Sequence, residues 1–263
     1  MASSRVQLID TEPGFHPKAI IQPEFIYLPI SKCANSSLKA VIKMKRDGLQ
    51  TIAELPKRKF GSKKNFYIHN DLWYDWIDIT ALSEYDGSPP ESIEKTRPVF
   101  TCIRNPIQRV FSVYTQKYIE QKELDFFDRF FGIKSVNLSV ERFIHKVILT
   151  SKNQHWDSYA SYILGNEELL DHVVPMEFIS DFWNTRFAEP FGYVELPKIN
   201  SSKSNKYTLE SLSFSTQRAL LRKYKYDILL YNQLLEKYTK LGHDAFYQSD
   251  KTTTNRVRTK YTK

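Results

Sequence analysis

The sequence predicts an α/β fold in which helices cover both faces of a mainly parallel sheet. Two apolar runs, at 24–29 and 98–103, are rich in aromatic and β-branched residues, as buried strands are. Apolar residues at helical spacing follow each run. Strands that alternate with helices are typical of a parallel sheet between two helical layers.

The first strand is expected to end at Pro29, and a loop then leads into a helix. Leu38, Val41 and Ile42 recur at helical spacing in that helix, and Gly48 after Asp47 supplies a stop. A second short strand is expected at 65–69.

The run at 98–103 leads into Pro106, which suits the first turn of a helix that extends to about residue 121. Further along the chain we expect a helix around 140–148, a strand at 172–176, and helices around 215–224 and 226–238.

The composition fits one domain over residues 1–249. The chain has 263 residues, of which 41% are hydrophobic and 26% are charged. Its net charge is +8, and residues 250–263 hold five basic residues against one acidic residue. We therefore expect a mildly basic body and a basic, disordered tail at 250–263. A mildly basic body suits a polyanionic ligand such as a nucleotide, an acidic glycan or a nucleic acid.

The N-terminus and the number of cysteines bear on the cellular compartment in which the protein is expected. The first ten residues contain no apolar core of the length that a signal peptide needs, and no run approaches a transmembrane segment. Only Cys33 and Cys102 are present, too few for a disulfide framework and without the spacing of a zinc site. We expect a protein without a transmembrane segment, located in the reducing cytoplasm.

The loop after the first strand has the composition of an anion-binding site. Backbone N–H groups at the start of a helix attract anions, and small residues let an anion approach them closely. The candidate residues are Lys32, Cys33, Ala34, Asn35, Ser36 and Ser37. The loop lacks the glycines of the kinase-type phosphate loop. Taken alone, it also fits a serine N-cap beside a solvated lysine.

A second candidate anion site follows the strand at 98–103. Arg104 offers a planar fork for two phosphate oxygens, and Ser112, two helical turns later, offers a hydroxyl donor. A surface ion pair for Arg104 and an ordinary helix-surface position for Ser112 are the alternatives. Two anion sites at adjacent strand ends suit a nucleotide that is phosphorylated at both ends.

These segments resemble motifs of sulfotransferases that use 3′-phosphoadenosine-5′-phosphosulfate (PAPS). FIYLPISKCANSSLK, at 25–39, is similar to their 5′-phosphosulfate loop, and FTCIRNPIQRVFSVY, at 100–114, to their 3′-phosphate motif. His155-Trp156, the segment 173–179 and Asn200-Ser201-Ser202 resemble later landmarks. The likeness spans about residues 24–235 and is greatest to the carbohydrate sulfotransferases of the chondroitin 4-O- and HNK-1 type and their bacterial relatives. Golgi members have a membrane anchor and disulfides, neither of which we expect in this chain.

The resemblance implies a P-loop-like three-layer α/β/α domain that transfers a sulfuryl group from PAPS to a carbohydrate or glycoconjugate hydroxyl. It implies that PAP is the product, that no metal is required, and that the acceptor is not a nucleic acid. Lys32 would donate to the leaving oxygen, and Ala34–Ser37 would hold the 5′ end. Arg104 and Ser112 would hold the 3′-phosphate, and Ser202 would close over the nucleotide. Cys33 and Cys102 would be small buried residues beside the cofactor.

The acceptor hydroxyl needs a general base, and histidine serves near neutral pH. His69 ends the predicted second strand, on the edge expected to carry both anion sites, so it is our candidate catalytic base beside Lys32. A structural role for His69 is an equal alternative. His155, Glu177 and Asp71 are weaker candidates, and Trp156 is expected to pack in the core.

Two other functions remain open from the residues alone. A P-loop-type kinase or phosphotransferase would use the same strand-loop-helix site with ATP and Mg²⁺. A noncatalytic polyanion-binding protein would bind through basic and aromatic surface, with strong salt dependence.

Overall fold

A computed structural model describes residues 18–55, 57–60, 63–66, 76–78, 97–120, 138–164, 169–192, 195–198 and 207–261. The strands are β1 (Lys18–Ile21), β2 (Ile26–Leu28), β3 (Lys57–Phe60), β4 (Lys63–Phe66), β5 (Trp76–Asp78), β6 (Val99–Ile103) and β7 (His172–Pro175). The α-helices are α1 (Asn35–Asp47), α2 (Pro106–Val113), α3 (Val140–Phe143), α4 (Tyr159–Leu164), α5 (Ile179–Arg186), α6 (Ala188–Phe191), α7 (Phe214–Lys223), α8 (Lys225–Leu241) and α9 (Lys251–Tyr261).

The structure also contains π-helical and 3₁₀-helical segments. Helix α2 continues as a π-helix over Tyr114–Glu120, and α3 continues as a π-helix over Ile144–Ile148. Short 3₁₀ helices cover Ile52–Glu54, Met176–Phe178, Leu209–Ser211 and Gly242–Tyr247.

The fold is α/β with one five-stranded mixed sheet in the order β5-β1-β2-β6-β7. The three strands β2, β6 and β7 are parallel, whereas β1 is antiparallel to both of its neighbours. In the register of the central pair, Leu28 lies opposite Thr101. The carboxyl ends of β2 and β6 therefore lie side by side, as the sequence predicted for its two candidate anion sites.

The remaining two strands, β3 and β4, form a separate antiparallel sheet. Residues 65 and 66 of the strand expected at 65–69 belong to β4, which pairs with β3 among the described strands, and residues 67–69 lie outside the described residues.

Helix boundaries follow local signals in the chain. Helix α1 ends at Gly48, whose φ of 66° is the left-handed conformation that glycine tolerates. At the start of α2, Asn105 Oδ1 accepts hydrogen bonds from the backbone N–H groups of Ile107, at 3.0 Å, and Gln108, at 3.2 Å. Pro106 occupies the first helical position, where its missing N–H costs nothing.

The core contains two main apolar clusters. The larger one joins the sheet to α1, α4, α5 and α8, and its centre is aromatic. The ring of Phe100 lies 5.4 Å from Phe25 and 5.4 Å from Phe187, between centroids. The smaller cluster joins α2, α3 and α7 around the buried side chain of Trp156.

The expectation of a disordered tail is wrong for residues 251–261, which form α9. Asp250, just before this helix, is fully buried and its carboxylate accepts from the Val173 N–H at 2.7 Å and from Lys237 Nζ at 2.7 Å. Val257 is also fully buried. One buried carboxylate and one buried valine anchor a segment whose composition is otherwise polar.

Candidate functional site

The loop between β2 and α1 has an unusual backbone. Lys32, with φ of 70°, and Ala34, with φ of 54°, are the two non-glycine residues with positive φ in the described ranges. Left-handed backbone beside right-handed backbone is the conformation of anion-binding nests, in which neighbouring N–H groups converge. In this loop the Cys33 N–H already donates to the Ile30 carbonyl at 3.2 Å, so the N–H groups that remain for an anion are those that follow it. Such conformations cost energy for residues with a Cβ, and proteins keep them mainly at functional positions.

The start of α1 adds to this anion site. Its N-cap residue is Ala34, which has no side-chain acceptor for the first-turn N–H groups. Ser36 and Ser37 lie inside the first turn, so neither serine is the N-cap, and that alternative is wrong. Asn35 Oδ1 is buried without a hydrogen-bond partner. An amide oxygen accepts hydrogen bonds and donates none, so this atom does not itself bind an anion.

Arg104 directly follows β6 and has a partly buried guanidinium. Its Nε is buried and has no hydrogen-bond partner. Burial lowers the pKa of Arg104 below the ordinary arginine value, so the site holds a desolvated cation. Such a group gains more from an incoming anion than a solvated arginine does.

Cys33 connects the two candidate anion sites. The backbone of Arg104 hydrogen-bonds to the Cys33 thiol, and the Arg104 charge acts on the same sulfur. Burial raises the pKa of Cys33 to about 11, so this thiol is neutral near pH 7. Burial also raises the pKa of Cys102 well above its ordinary value. Both cysteines are fully buried free thiols, and neither has the properties of a nucleophile.

Arg109 is a residue whose role sequence reasoning missed. It is only 1% exposed, and it donates from Nε to the Ser31 carbonyl at 3.0 Å. Its Nη1 donates to the Asp157 carbonyl at 2.6 Å, and its Nη2 donates to the Gln154 carbonyl at 2.8 Å. Arg109 thus ties α2 to the residue before Lys32, and the sequence alone offers no signal for such a role.

Ser112 and Gln116 lie on the same side of this helical segment. Ser112 is three residues after Arg109 and four before Gln116, a spacing that places them on one face. Ser112 is 5% exposed, so the helix-surface interpretation of this serine is wrong. Lys32 Nζ donates a hydrogen bond to Gln116 Oε1. The loop therefore meets α2 and its π-helical continuation through Ser31 and Lys32.

Tyr159 fixes the backbone at the end of β6. Its hydroxyl donates to the Arg104 carbonyl at 2.9 Å. Its own N–H donates to Asp227 Oδ1 at 2.7 Å, and Ser158 Oγ donates to Asp227 Oδ2 at 2.6 Å. Asp227 is fully buried, and burial raises its pKa to about 6 against the opposing effects of Ser158 and Arg109.

A carboxylate lies at the carboxyl end of the neighbouring strand β7. Glu177 is exposed, accepts from the Tyr231 hydroxyl at 2.7 Å, and is close enough to act on the charge of Arg104. The ends of β2, β6 and β7 thus carry Lys32, Arg104 and Glu177 along one edge of the sheet.

Several candidates from the sequence fall elsewhere. His69 and Ser202 lie outside the described residues, as do Asp71 and Asn200. The placement of His69 on the edge of the main sheet therefore stays a prediction. Trp156 is 1% exposed within the smaller core cluster, which confirms its predicted packing role.

No group of three or more His, Cys, Asp or Glu side chains in the described ranges is arranged to hold a metal ion. Within the same ranges, no helix combines the length and apolar character that crossing a bilayer would take. No protein-family model, curated protein or solved structure matches this chain.

Proposed function

We propose that this protein is a PAPS-dependent sulfotransferase that modifies a hydroxyl of a carbohydrate or glycoconjugate. One observation carries the proposal: two cationic anion-binding elements lie at the carboxyl ends of neighbouring parallel strands. Lys32 and the left-handed loop follow β2, Arg104 follows β6, and Cys33 contacts Arg104. Ligands of open parallel sheets bind at this edge.

The donor groups suit the two ends of such a nucleotide. In the proposal, the loop N–H groups and Lys32 bind the 5′-phosphosulfate, which is rich in acceptor oxygens and offers no donors. Arg104 and Ser112 bind the 3′-phosphate, and the unpartnered Arg104 Nε supports this because a phosphate oxygen would satisfy it. Ser202, outside the described residues, is proposed to close over the nucleotide.

The chemistry is a direct transfer. The acceptor oxygen forms a bond to sulfur, the bond between sulfur and the bridging oxygen of the phosphosulfate breaks, and the hydroxyl proton passes to a base. In the proposal, Lys32 donates to the bridging oxygen as negative charge grows on it. His69, outside the described residues, is the proposed base. A covalent intermediate on cysteine is disfavoured because Cys33 and Cys102 are buried and neutral.

The proposed fold assignment is a P-loop-like three-layer α/β/α domain, with lysine and alanine at positive φ where phosphate loops usually place glycine. The alternating φ signs of the loop support this assignment. We propose a cytoplasmic enzyme that needs no metal, with PAP as the second product.

The direct test is a transfer assay with PAPS labelled at sulfur, offered to a panel of oligosaccharides without added metal. The proposal expects label in at least one acceptor, with loss of transfer in Lys32→Ala. His69→Ala should retain nucleotide binding and lose turnover. Transfer of the γ-phosphate from ATP with Mg²⁺, and none from PAPS, would identify a kinase instead.

A further inference from the structure

Gln116, a position outside both nucleotide motifs, contacts the Lys32 ammonium. Lys32 Nζ donates to Gln116 Oε1. Both side chains are partly buried, so the contact lies inside the loop-helix junction rather than on open surface. Gln116 belongs to the π-helical stretch Tyr114–Glu120. π-helical stretches within helices are frequent at functional sites.

The junction is held in register by a second contact. Arg109 lies seven residues before Gln116, and Ser31 lies one residue before Lys32. Arg109 Nε donates to the Ser31 carbonyl at 3.0 Å. Arg109 is itself fixed by the carbonyls of Gln154 and Asp157. Two successive loop residues thus contact two successive stretches of one helix, and the position of Lys32 depends on that helix.

The chemistry of glutamine distinguishes this contact from an ion pair. An amide oxygen accepts from an ammonium group and orients it, and it brings no negative charge of its own to the contact. A carboxylate at the same position would neutralise Lys32 and compete with an incoming anion. A neutral acceptor is therefore the side chain that positions Lys32 while preserving its attraction for anions.

We propose that Gln116 is a positioning residue for Lys32, holding the ammonium group toward the leaving oxygen during transfer. This inference rests on the proposed sulfotransferase function. It assigns a role to a residue outside both nucleotide motifs, on the basis of its contact with Lys32.

The experiment combines a chemical readout on Lys32 with steady-state kinetics. Competitive acetylation, read by mass spectrometry without nucleotide, compares Lys32 with the exposed Lys225 in the wild type, Gln116→Leu and Gln116→Glu. The matched control is Gln108→Leu on the exposed side of α2. We expect Lys32 acetylation to fall at least fivefold in Gln116→Glu, because the new carboxylate keeps the amine protonated. Acetylation should change at least twofold in Gln116→Leu and stay constant in Gln108→Leu.

In the transfer assay, both Gln116 variants should lose at least tenfold in kcat, while their Kd for PAP stays within threefold of the wild type. A purely structural role would instead lower thermal stability and nucleotide affinity together. Unchanged Lys32 acetylation in both folded variants, or unchanged kcat in both, would overturn the proposal. Altered acetylation with an inactive wild type would keep the Lys32–Gln116 contact and overturn the sulfotransferase assignment.

Discussion

Arg109 Nε donates to the carbonyl oxygen of Ser31 at 3.0 Å, which ties α2 to the loop that carries Lys32. The same guanidinium holds two further carbonyls, those of Gln154 and Asp157, in a fully buried position. One side chain on α2 therefore joins two segments that are distant in sequence, the loop at Ser31 and the turn at 154–157.

Arg109→Met is expected to destabilise the protein strongly. The methionine fills similar space but leaves three carbonyl oxygens without this donor, which should lower the free energy of unfolding by about 3 kcal/mol or more. Urea unfolding measures the change. The control Arg218→Met removes an exposed arginine from α7 and should change stability by no more than about 0.5 kcal/mol. Equal stability of the two variants would contradict the clamp role.

Glycine substitutions test the strain in the β2–α1 loop. Lys32→Gly and Ala34→Gly remove the steric strain of a side chain at positive φ, whereas the larger entropy of glycine in the unfolded chain opposes this gain. The net increase in the free energy of unfolding should be about 0.5 kcal/mol for each variant. Thermal unfolding is the measurement. Lys32→Gly should also lose sulfuryl transfer.

The control for these substitutions is Ser37→Gly, which lies within the first turn of α1. Glycine has no advantage at a helical backbone position, so this variant should lose about 0.5 to 1 kcal/mol. A destabilised Ala34→Gly would show that the loop does not store backbone strain.

Arg104→Lys tests the proposed recognition of the 3′-phosphate. The variant keeps a positive charge but loses the planar fork, so the Kd for PAP should rise about tenfold or more. The Kd for 5′-AMP, which lacks the 3′-phosphate, should change much less. Calorimetric titration checks both, with Arg218→Lys as the exposed control. Equal losses for the two nucleotides would remove Arg104 from the 3′-phosphate site.

The buried carboxyl of Asp227 predicts a pH dependence of stability. Its pKa rises from the ordinary 3.8 to about 6, chiefly through burial. The folded state therefore binds this proton more tightly than the unfolded state does. The resulting stability is present below pH 3.8 and is lost as the pH rises through 6, by on the order of 3 kcal/mol.

Asp227→Asn removes this titration and keeps an amide that can still accept from the Tyr159 N–H. Unfolding free energies measured from pH 4 to pH 7 should fall in the wild type relative to Asp227→Asn. The difference between the two proteins cancels the other carboxylates, several of which titrate in the opposite sense. A constant difference across this range would mean that Asp227 is ionised throughout.

The central strands and the flanking helices were accessible from the sequence because their apolar patterns are local. The run at 98–103 became β6 at Val99–Ile103, and Pro106 after Asn105 marked the start of α2. The predicted parallel pairing of β2 with β6 is confirmed, and with it the adjacency of the two motifs.

Other features depend on contacts between distant segments. The strand β1 is only four residues long and antiparallel to β2, so it is not part of the alternation of strands and helices by which the sequence predicts a parallel sheet. Helix α9 is anchored by three buried residues, Asp250, Thr254 and Val257, in a segment whose composition indicates disorder. In the sequence, Arg109 and Gln116 look like ordinary polar residues of an amphipathic helix. Only the folded structure reveals that Arg109 hydrogen-bonds to Ser31 and Gln116 to Lys32.

The most direct test of the central claim is calorimetric titration of the purified protein with 3′,5′-adenosine bisphosphate without metal, with 5′-AMP and ATP as comparisons. The measurement needs no acceptor. The two proposed anion sites at the ends of β2 and β6 predict saturable binding that requires the 3′-phosphate. Absence of binding, or a preference for ATP in the presence of Mg²⁺, would contradict the sulfotransferase proposal.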